Sequence, residues 1–192
     1  MENRNNNPIA EEIIHNNPTG YGLFAGIGDN FNSAAQAICE LADDAISNLR
    51  ANSDDPDLSM TIVVSFENLG DAVEIGVVDG GTGITNLDSA LTIACRDGAQ
   101  TPLNEHGCGL KNALSYLSEE AELWLLESRT KEDAAADRYR CVSAPYAAID
   151  RRMRARVHQG SGAILFETGT TVRVRCGKEK LECLKPATKR AK

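Results

Sequence analysis

Two carboxylates one helical turn apart could act together on a charged ligand. Glu40 and Asp44 lie four residues apart in a segment with helical apolar spacing, so both fall on one edge of the expected helix. Like charges at this spacing weaken a helix by roughly 0.2–0.5 kcal/mol, and the neighbouring core desolvates them. A divalent cation or a protonatable ligand would offset that cost, whereas Asp43 is expected to face solvent. A solvated acidic face explains the same residues.

A third carboxylate stands at the end of an apolar strand. Asp79 follows Val77-Val78 and precedes Gly80-Gly81-Thr82-Gly83, which has three glycines in four positions. Glycine lets the backbone approach a ligand closely and adopt positive φ. Asp79 could there accept a hydrogen bond from a donor such as an exocyclic amine. The alternative is a tight turn, for which Asp-Gly is also common.

Two further segments carry weaker signals of ligand binding. Gly107-Cys108-Gly109-Leu110-Lys111 places glycines where a loop enters a helix, and free N–H groups at a helix start bind anions. This segment matches neither a Walker A loop nor a dinucleotide-binding fingerprint. Gly169-Thr170-Thr171 begins a late strand, where its hydroxyls could reach a ligand or a water. An ordinary strand start explains that segment equally well.

The elements that must position these residues follow one order along the chain. The sequence predicts helices over 34–50, 87–96 and 110–119, and strands over 61–66, 73–78, 122–128, 138–143, 164–167 and 171–176. The first two strands are close enough for a hairpin, and the arginine-rich stretch 151–156 is ambiguous. This order is not the strict alternation of a doubly wound sheet. It predicts an α+β fold with a mixed, mostly antiparallel sheet and helices on one face.

Composition bounds the class of protein. The 192 residues are 42% hydrophobic and carry a net charge of −8, and no apolar run is long enough to span a membrane. The amino terminus lacks a secretory signal and the six cysteines form no C-x-x-C pair, so we expect a cytoplasmic protein with reduced thiols. Net charge is −18 before Arg138 and +10 from Arg138 onwards. We expect the halves to neutralise each other, and a nucleic-acid partner is the alternative.

The four motifs, taken in order, resemble those of the GHKL superfamily, which comprises gyrase B, the ninety-kilodalton heat-shock chaperone, histidine kinases and MutL. That family has a helix with E-x-x-x-N, then D-x-G-x-G, a lid ending in G-x-G, and G-T on a late strand. Here the resemblance covers about 30–176 and is strongest to the MORC-like or chaperone-like branch. It implies a Bergerat-type α/β sandwich, with a polar arm over 1–20, an ATP-binding domain over 21–177 and a basic tail over 178–192.

The resemblance also implies a role for each motif residue. Glu40 would be the general base for ATP hydrolysis, and the residue in the Asp44 slot would hold Mg²⁺. Asp79 would accept from the adenine amine and share a water with Thr170. The implied nucleotide-binding residues are Asp44, Asp79, Gly81, Gly83, Gly107, Gly109, Lys111 and Thr170.

Two departures from the family affect the expected activity. The family has Asn where this chain has Asp44, which places an extra negative charge beside a triphosphate. Asn48, one turn further, could supply an amide, although a solvated position at the helix end is the expectation. The catalytic lysine of a transducer domain is not expected in this chain. We therefore expect Mg²⁺-dependent ATP binding with slow hydrolysis, and the alternative is an ATP-binding regulatory module without turnover that controls an unidentified protein partner.

Overall fold

The computed structural model describes residues 8–14, 31–91, 109–118, 123–145 and 153–184. Its strands are β1 (Ala10–Ile14), β2 (Ser59–Asn68), β3 (Ala72–Gly80), β4 (Leu123–Arg129), β5 (Arg138–Pro145), β6 (Met153–Gln159) and β7 (Gly169–Gly177). Its helices are α1 (Ala34–Ala51), α2 (Leu87–Leu91), α3 (Gly109–Leu117) and α4 (Lys131–Ala135), followed by a 3-10 helix (Lys178–Leu184). None of these helices is long and apolar enough to cross a membrane.

The strands form one sheet in the order β1-β6-β5-β4-β7-β3-β2. Every pairing between described strands is antiparallel, so the predicted α+β class is confirmed but the expected parallel component is wrong for this part of the chain. The reason is the position of β7. Strands β3 and β4 run in the same direction and are separated by helices, the connection that a parallel pair needs. Because β7 lies between them and opposes both, they never become neighbours.

Helix α1 forms as its sequence predicts. The side chain of Ser33 accepts a hydrogen bond from the Gln36 N–H and caps the helix. Six apolar side chains at helical spacing are all buried: Ala34, Ala37, Ile38, Leu41, Ala45 and Leu49. The first four of them join α3 and one face of the sheet in the main core, and that face includes Ile75, Val77, Trp124, Leu126, Val172 and Val174. The described helices that contribute to this core therefore lie on one face of the sheet, which confirms that prediction.

The opposite face of the sheet is covered by the segment between β6 and β7. Residues 164–167, predicted as a strand, are irregular in the structure. Their apolar signal comes from Ile164, which is buried against Tyr139 and Cys141 rather than paired in a ladder. The Ala163 N–H donates to a carboxylate oxygen of Glu127 at 3.1 Å, so the segment is held by a side chain of the sheet.

Both ends of the described chain pack onto the domain. Part of the predicted polar arm, Ala10–Ile14, forms the edge strand β1 and pairs with β6, a strand in the stretch that the sequence left ambiguous. The start of the predicted basic tail forms the 3-10 helix, in which Leu181 packs against the main core. Lys180 Nζ donates to the Tyr116 carbonyl at 2.9 Å and fixes this helix beside α3.

Candidate functional site

Three polar side chains follow one edge of α1 at four-residue intervals: Glu40, Asp44 and Asn48. With a rise of about 1.5 Å per residue, the edge spans roughly 12 Å from the first to the last. Its Glu40 end faces the start of α3, and its Asn48 end faces the turn after β3. The helix therefore connects two of the segments that the sequence singled out for ligand binding.

Glu40 lies directly against the first residue of α3. A Cβ at Gly109 would collide with Glu40 Oε1, so a larger residue here would displace the carboxylate from the start of the helix. Burial raises the pKa of Glu40, and the nearby charge of Asp43 raises it further. Asp43, expected to face solvent, is itself half-buried. Glu40 is thus a half-buried carboxylate with enhanced basicity, which is the property of a general base.

Asp44 accepts a hydrogen bond from the Leu110 N–H at the amino terminus of α3. Burial, together with the charge of Glu40, raises the pKa of Asp44 to about 7, against the opposing effects of Lys111 and the Leu110 hydrogen bond. Lys111 is itself buried, and its ammonium donates to the Ala90 carbonyl at 3.0 Å. Asp44 is therefore hydrogen-bonded to the Leu110 N–H, near the position where the family resemblance implies that the phosphates bind. Gly107, the other glycine implied for the phosphates, lies outside the described residues.

Asp79 ends β3 on the helix side of the sheet and is only 7% exposed. One carboxylate oxygen accepts from the Gly81 N–H at 2.9 Å. The backbone N–H and the hydroxyl of Thr170, which lies opposite in the β3–β7 register, also hydrogen-bond to the carboxylate. Burial raises the pKa of Asp79 to about 6, although these hydrogen bonds counteract it. Asp79 and Thr170 are thus joined by direct hydrogen bonds, whereas the resemblance implied that they share a water.

Asn48 holds the turn that follows Asp79. Its amide oxygen accepts from the Thr82 N–H at 3.0 Å, and its amide nitrogen donates to the Thr82 hydroxyl at 2.9 Å. The expectation of a solvated Asn48 is therefore wrong, because the oxygen and the nitrogen of its side-chain amide are both hydrogen-bonded to Thr82. Its position two turns from Glu40 on the same helix edge was the signal in the sequence.

The glycines of this turn are needed by the protein's own packing. Gly83 has a φ of +72°, and a Cβ there would collide with the Arg129 carbonyl. Gly81 lies against the Asn48 side chain, and its carbonyl accepts from the Thr168 hydroxyl at 2.7 Å. A bare backbone at both positions also leaves room for a ligand, so the two roles are compatible.

A second clamp on the same turn was not predicted. Ser128 on β4 accepts from the Ile84 N–H at 2.6 Å, and Arg140 on β5 donates to the carbonyls of Ile84 and Thr85. Arg140 is oriented by an ion pair with the buried Asp133 at 3.0 Å. These residues are more than 40 positions from the turn in the chain, and no local pattern marks them.

The acidic residues of the site do not form a metal cluster by themselves. No group of three His, Cys, Asp or Glu side chains that could hold a metal occurs among the residues that the structure describes. Mg²⁺ usually keeps several waters and takes only one or two protein carboxylates besides substrate phosphates. A single hard oxygen ligand, Asp44, therefore fits a site that would be completed by the phosphates.

The contact between Asn48 and Thr82 predicts a measurable coupling in stability. Asn48→Ala and Thr82→Ala should each destabilise the protein, and the double variant should cost less than their sum. We expect a coupling energy of about 0.5–1.5 kcal/mol for the one partly buried hydrogen bond between the two side chains, since the Thr82 N–H that donates to Asn48 is retained in Thr82→Ala. Urea denaturation of wild type, the two single variants and the double variant measures the coupling energy. Strict additivity would show that the two side chains do not support each other.

Comparison with known proteins does not identify a family for this chain. No protein-family model matches the chain, and no curated protein matches it.

Proposed function

We propose that this protein binds ATP with Mg²⁺ and hydrolyses it slowly, as a GHKL-type domain with a Bergerat-type α/β sandwich. The observation that carries the proposal is the α1 edge. At one end of this edge, the desolvated carboxylates Glu40 and Asp44 face the start of α3. At the other end, about 12 Å away, Asn48 contacts the turn that follows Asp79. A nucleotide lying along this edge would have its base beside Asp79 and its phosphates beside Glu40 and Asp44.

The base would be read at the Asp79 end. A carboxylate fixed by Gly81 and Thr170 retains acceptor capacity, because an ionised carboxylate has about four lone-pair sites. An exocyclic amine of a purine supplies the matching donor. Burial would make this hydrogen bond selective, since a base without the amine would leave one acceptor site of a desolvated carboxylate unfilled.

The phosphates would lie at the start of α3, whose first N–H groups and helix dipole favour anions. Asp44 would hold Mg²⁺, which neutralises charge developing on the phosphates. Glu40 would take a proton from the attacking water, and its raised pKa and its contact with Gly109 support this role. The backbone of Gly109 would be positioned for the phosphates by that same contact.

A second candidate is an ATP-binding regulatory module without turnover. The specific observation in its favour is that Asp44 and Lys111 are both engaged internally, with the Leu110 N–H and the Ala90 carbonyl. If ATP does not displace these contacts, the γ-phosphate would not be aligned for attack. The bound nucleotide would then act by changing the conformation that an unidentified protein partner binds.

The basic half of the chain does not favour nucleic acid as the partner. Arg173 lies between Glu74 and Glu127 at 3.6 and 3.5 Å, and Arg138 and Arg140 pair with Asp133. Within the described part of the chain, these arginines therefore neutralise acidic residues of the same fold. As part of the same proposal, we place the protein in the cytoplasm.

The experiment that tests ATP binding is calorimetric titration of wild type and Asp79→Asn with ATP, with and without Mg²⁺. The substitution keeps the side-chain shape but replaces one acceptor by a donor facing the adenine amine. We expect affinity to fall by about 1–3 kcal/mol, or roughly 5–150-fold. Asp71→Asn, in the exposed β2–β3 turn, is the matched control and should bind as wild type does. Equal affinities of wild type and Asp79→Asn would remove Asp79 from the base site.

A further inference from the structure

The edge strand β2 gathers most of the exposed apolar side chains of the described chain. Six large hydrophobic residues are substantially exposed in the described part of the chain, and four of them lie on β2 or in the turn after it: Met60, Val64, Phe66 and Leu69. Phe66 is 54% exposed and Val64 is 41% exposed. Single exposed apolar residues are ordinary, but a contiguous set marks an interaction surface.

From Ile62 to Asn68, strand β2 lacks most of the features that protect an edge strand from pairing. It is ten residues long, has no proline, and carries Glu67 as its one charged residue. Its register is irregular between Ser59 and Ile62 and regular from Ile62 to Asn68. Natural edges are usually short, charged or bulged, because a long bare edge templates the addition of another strand.

The register of β2 places two of these exposed apolar residues, Val64 and Phe66, on the helix side of the sheet. Val64 pairs with Val77 and Phe66 pairs with Ile75, both of which point into the main core. Ile62, on the same face, is partly buried against that core, whereas Val64 and Phe66 are left exposed. The uncovered apolar row is thus a continuation of the core face.

We propose that β2 pairs antiparallel with β2 of a second copy of this chain, forming one continuous sheet across a two-fold axis at Val64. In that register Val64 faces Val64 of the second copy, and Phe66 faces Ile62. The apolar row is therefore complementary to itself, as an isologous interface requires. Each exposed residue of the row gains an apolar neighbour on the same face.

The distribution of charge favours a second copy at this edge. The chain carries a net charge of −8, so two copies repel each other over most of their surface. Strand β2 is nearly free of charge, and the proposed register places Glu67 opposite Thr61 rather than opposite another carboxylate. The two Glu67 residues would stand about 20 Å apart along the strands, at about 3.4 Å per residue, beyond the Debye length of about 8 Å.

The test is the mass in solution, measured by light scattering after size-exclusion chromatography over a range of protein concentrations. Wild type should elute as a dimer at micromolar concentrations and dissociate on dilution. Val64→Lys should have the mass of one chain, because it places two like charges face to face at the axis. Leu165→Lys changes a comparably exposed apolar residue in the segment between β6 and β7 and should remain dimeric. Circular dichroism checks that each variant is folded.

Disulfide trapping tests the register. Under mild oxidation, Val64→Cys should give a covalent dimer, because a two-fold axis places residue 64 beside itself at a distance that a disulfide can bridge. Ser65→Cys, which faces residue 63 in the second copy, should crosslink at least tenfold more slowly, and wild type controls for Cys39. A monomeric wild type, a dimeric Val64→Lys, or faster trapping of Ser65→Cys would each overturn the proposal. None of these measurements depends on nucleotide, so they are independent of the proposed ATP function.

Discussion

Glu40→Gln should lower the rate of ATP hydrolysis by about 10²–10⁴-fold, the range for loss of a general base, while ATP binding is retained. Glutamine keeps the length of the side chain and its contact with Gly109, so the variant tests the proton acceptor and not the packing. The substitution also removes one of two crowded carboxylates beside the triphosphate. ATP affinity should therefore hold or rise.

Asp43→Asn is the matched control for this prediction. It removes the same charge from the same helix, three residues after Glu40, but it leaves Glu40 in place. Because Asp43 raises the pKa of Glu40, its loss should lower that pKa slightly and change turnover far less than Glu40→Gln. A steady-state phosphate-release assay on all three proteins measures the difference. If Glu40→Gln matches wild type in turnover, the base lies elsewhere; if wild type shows none, the regulatory function is favoured.

The parts of the fold that could be predicted are those written in consecutive residues. The apolar stripe of α1 has helical spacing, so the helix and the edge bearing Glu40 and Asp44 were predicted correctly. Asp79 was placed at a strand end because an apolar run stops at a glycine-rich turn. In both cases the signal is local, and local periodicity is what a sequence reveals most directly.

The parts that could not be predicted depend on contacts between distant residues. Nothing near β3 or β4 in the chain indicates that β7 inserts between them. The bond from the Leu110 N–H to Asp44 needs α3 to begin beside α1, which tertiary packing alone determines. Residues 164–167 were mistaken for a strand because a single buried side chain, Ile164, gives the same apolar signal as a ladder would.

Asp44 predicts an unusual dependence of stability on pH. Its pKa is about 7 in the folded protein and about 3.9 in an unfolded chain. A folded-state pKa that is raised gives stability that is complete below the unfolded pKa and is lost as pH rises through the folded value. The free energy of unfolding of the ligand-free protein should therefore fall between about pH 4 and pH 7, by at most about 4 kcal/mol from this group.

Asp44→Asn should remove most of that fall, because an amide does not ionise. A smaller fall below about pH 6 should remain, since the pKa of Asp79 is also raised. Urea denaturation of both proteins at pH 5 and pH 8 measures the difference. Parallel pH profiles of wild type and Asp44→Asn would show that Asp44 is ionised at no cost in the folded protein.

The same substitution tests the role of Asp44 in holding Mg²⁺. At pH 8, above the raised pKa of Asp44, Glu40 and Asp44 are both ionised and repel each other and a triphosphate, and Mg²⁺ held by Asp44 and the phosphates would offset that repulsion. ATP affinity of wild type should therefore fall steeply when EDTA is added. Asp44→Asn places a neutral acceptor at the start of α3, so it should bind ATP better than wild type without metal and lose less affinity when EDTA is added.

Asp57→Asn, on the exposed loop before β2, is the control: it removes an equal charge away from the site and should keep the EDTA sensitivity of wild type. Equal EDTA sensitivity of Asp44→Asn and wild type would mean that the ion is held by other ligands and that Asp44 serves only to fix the Leu110 N–H.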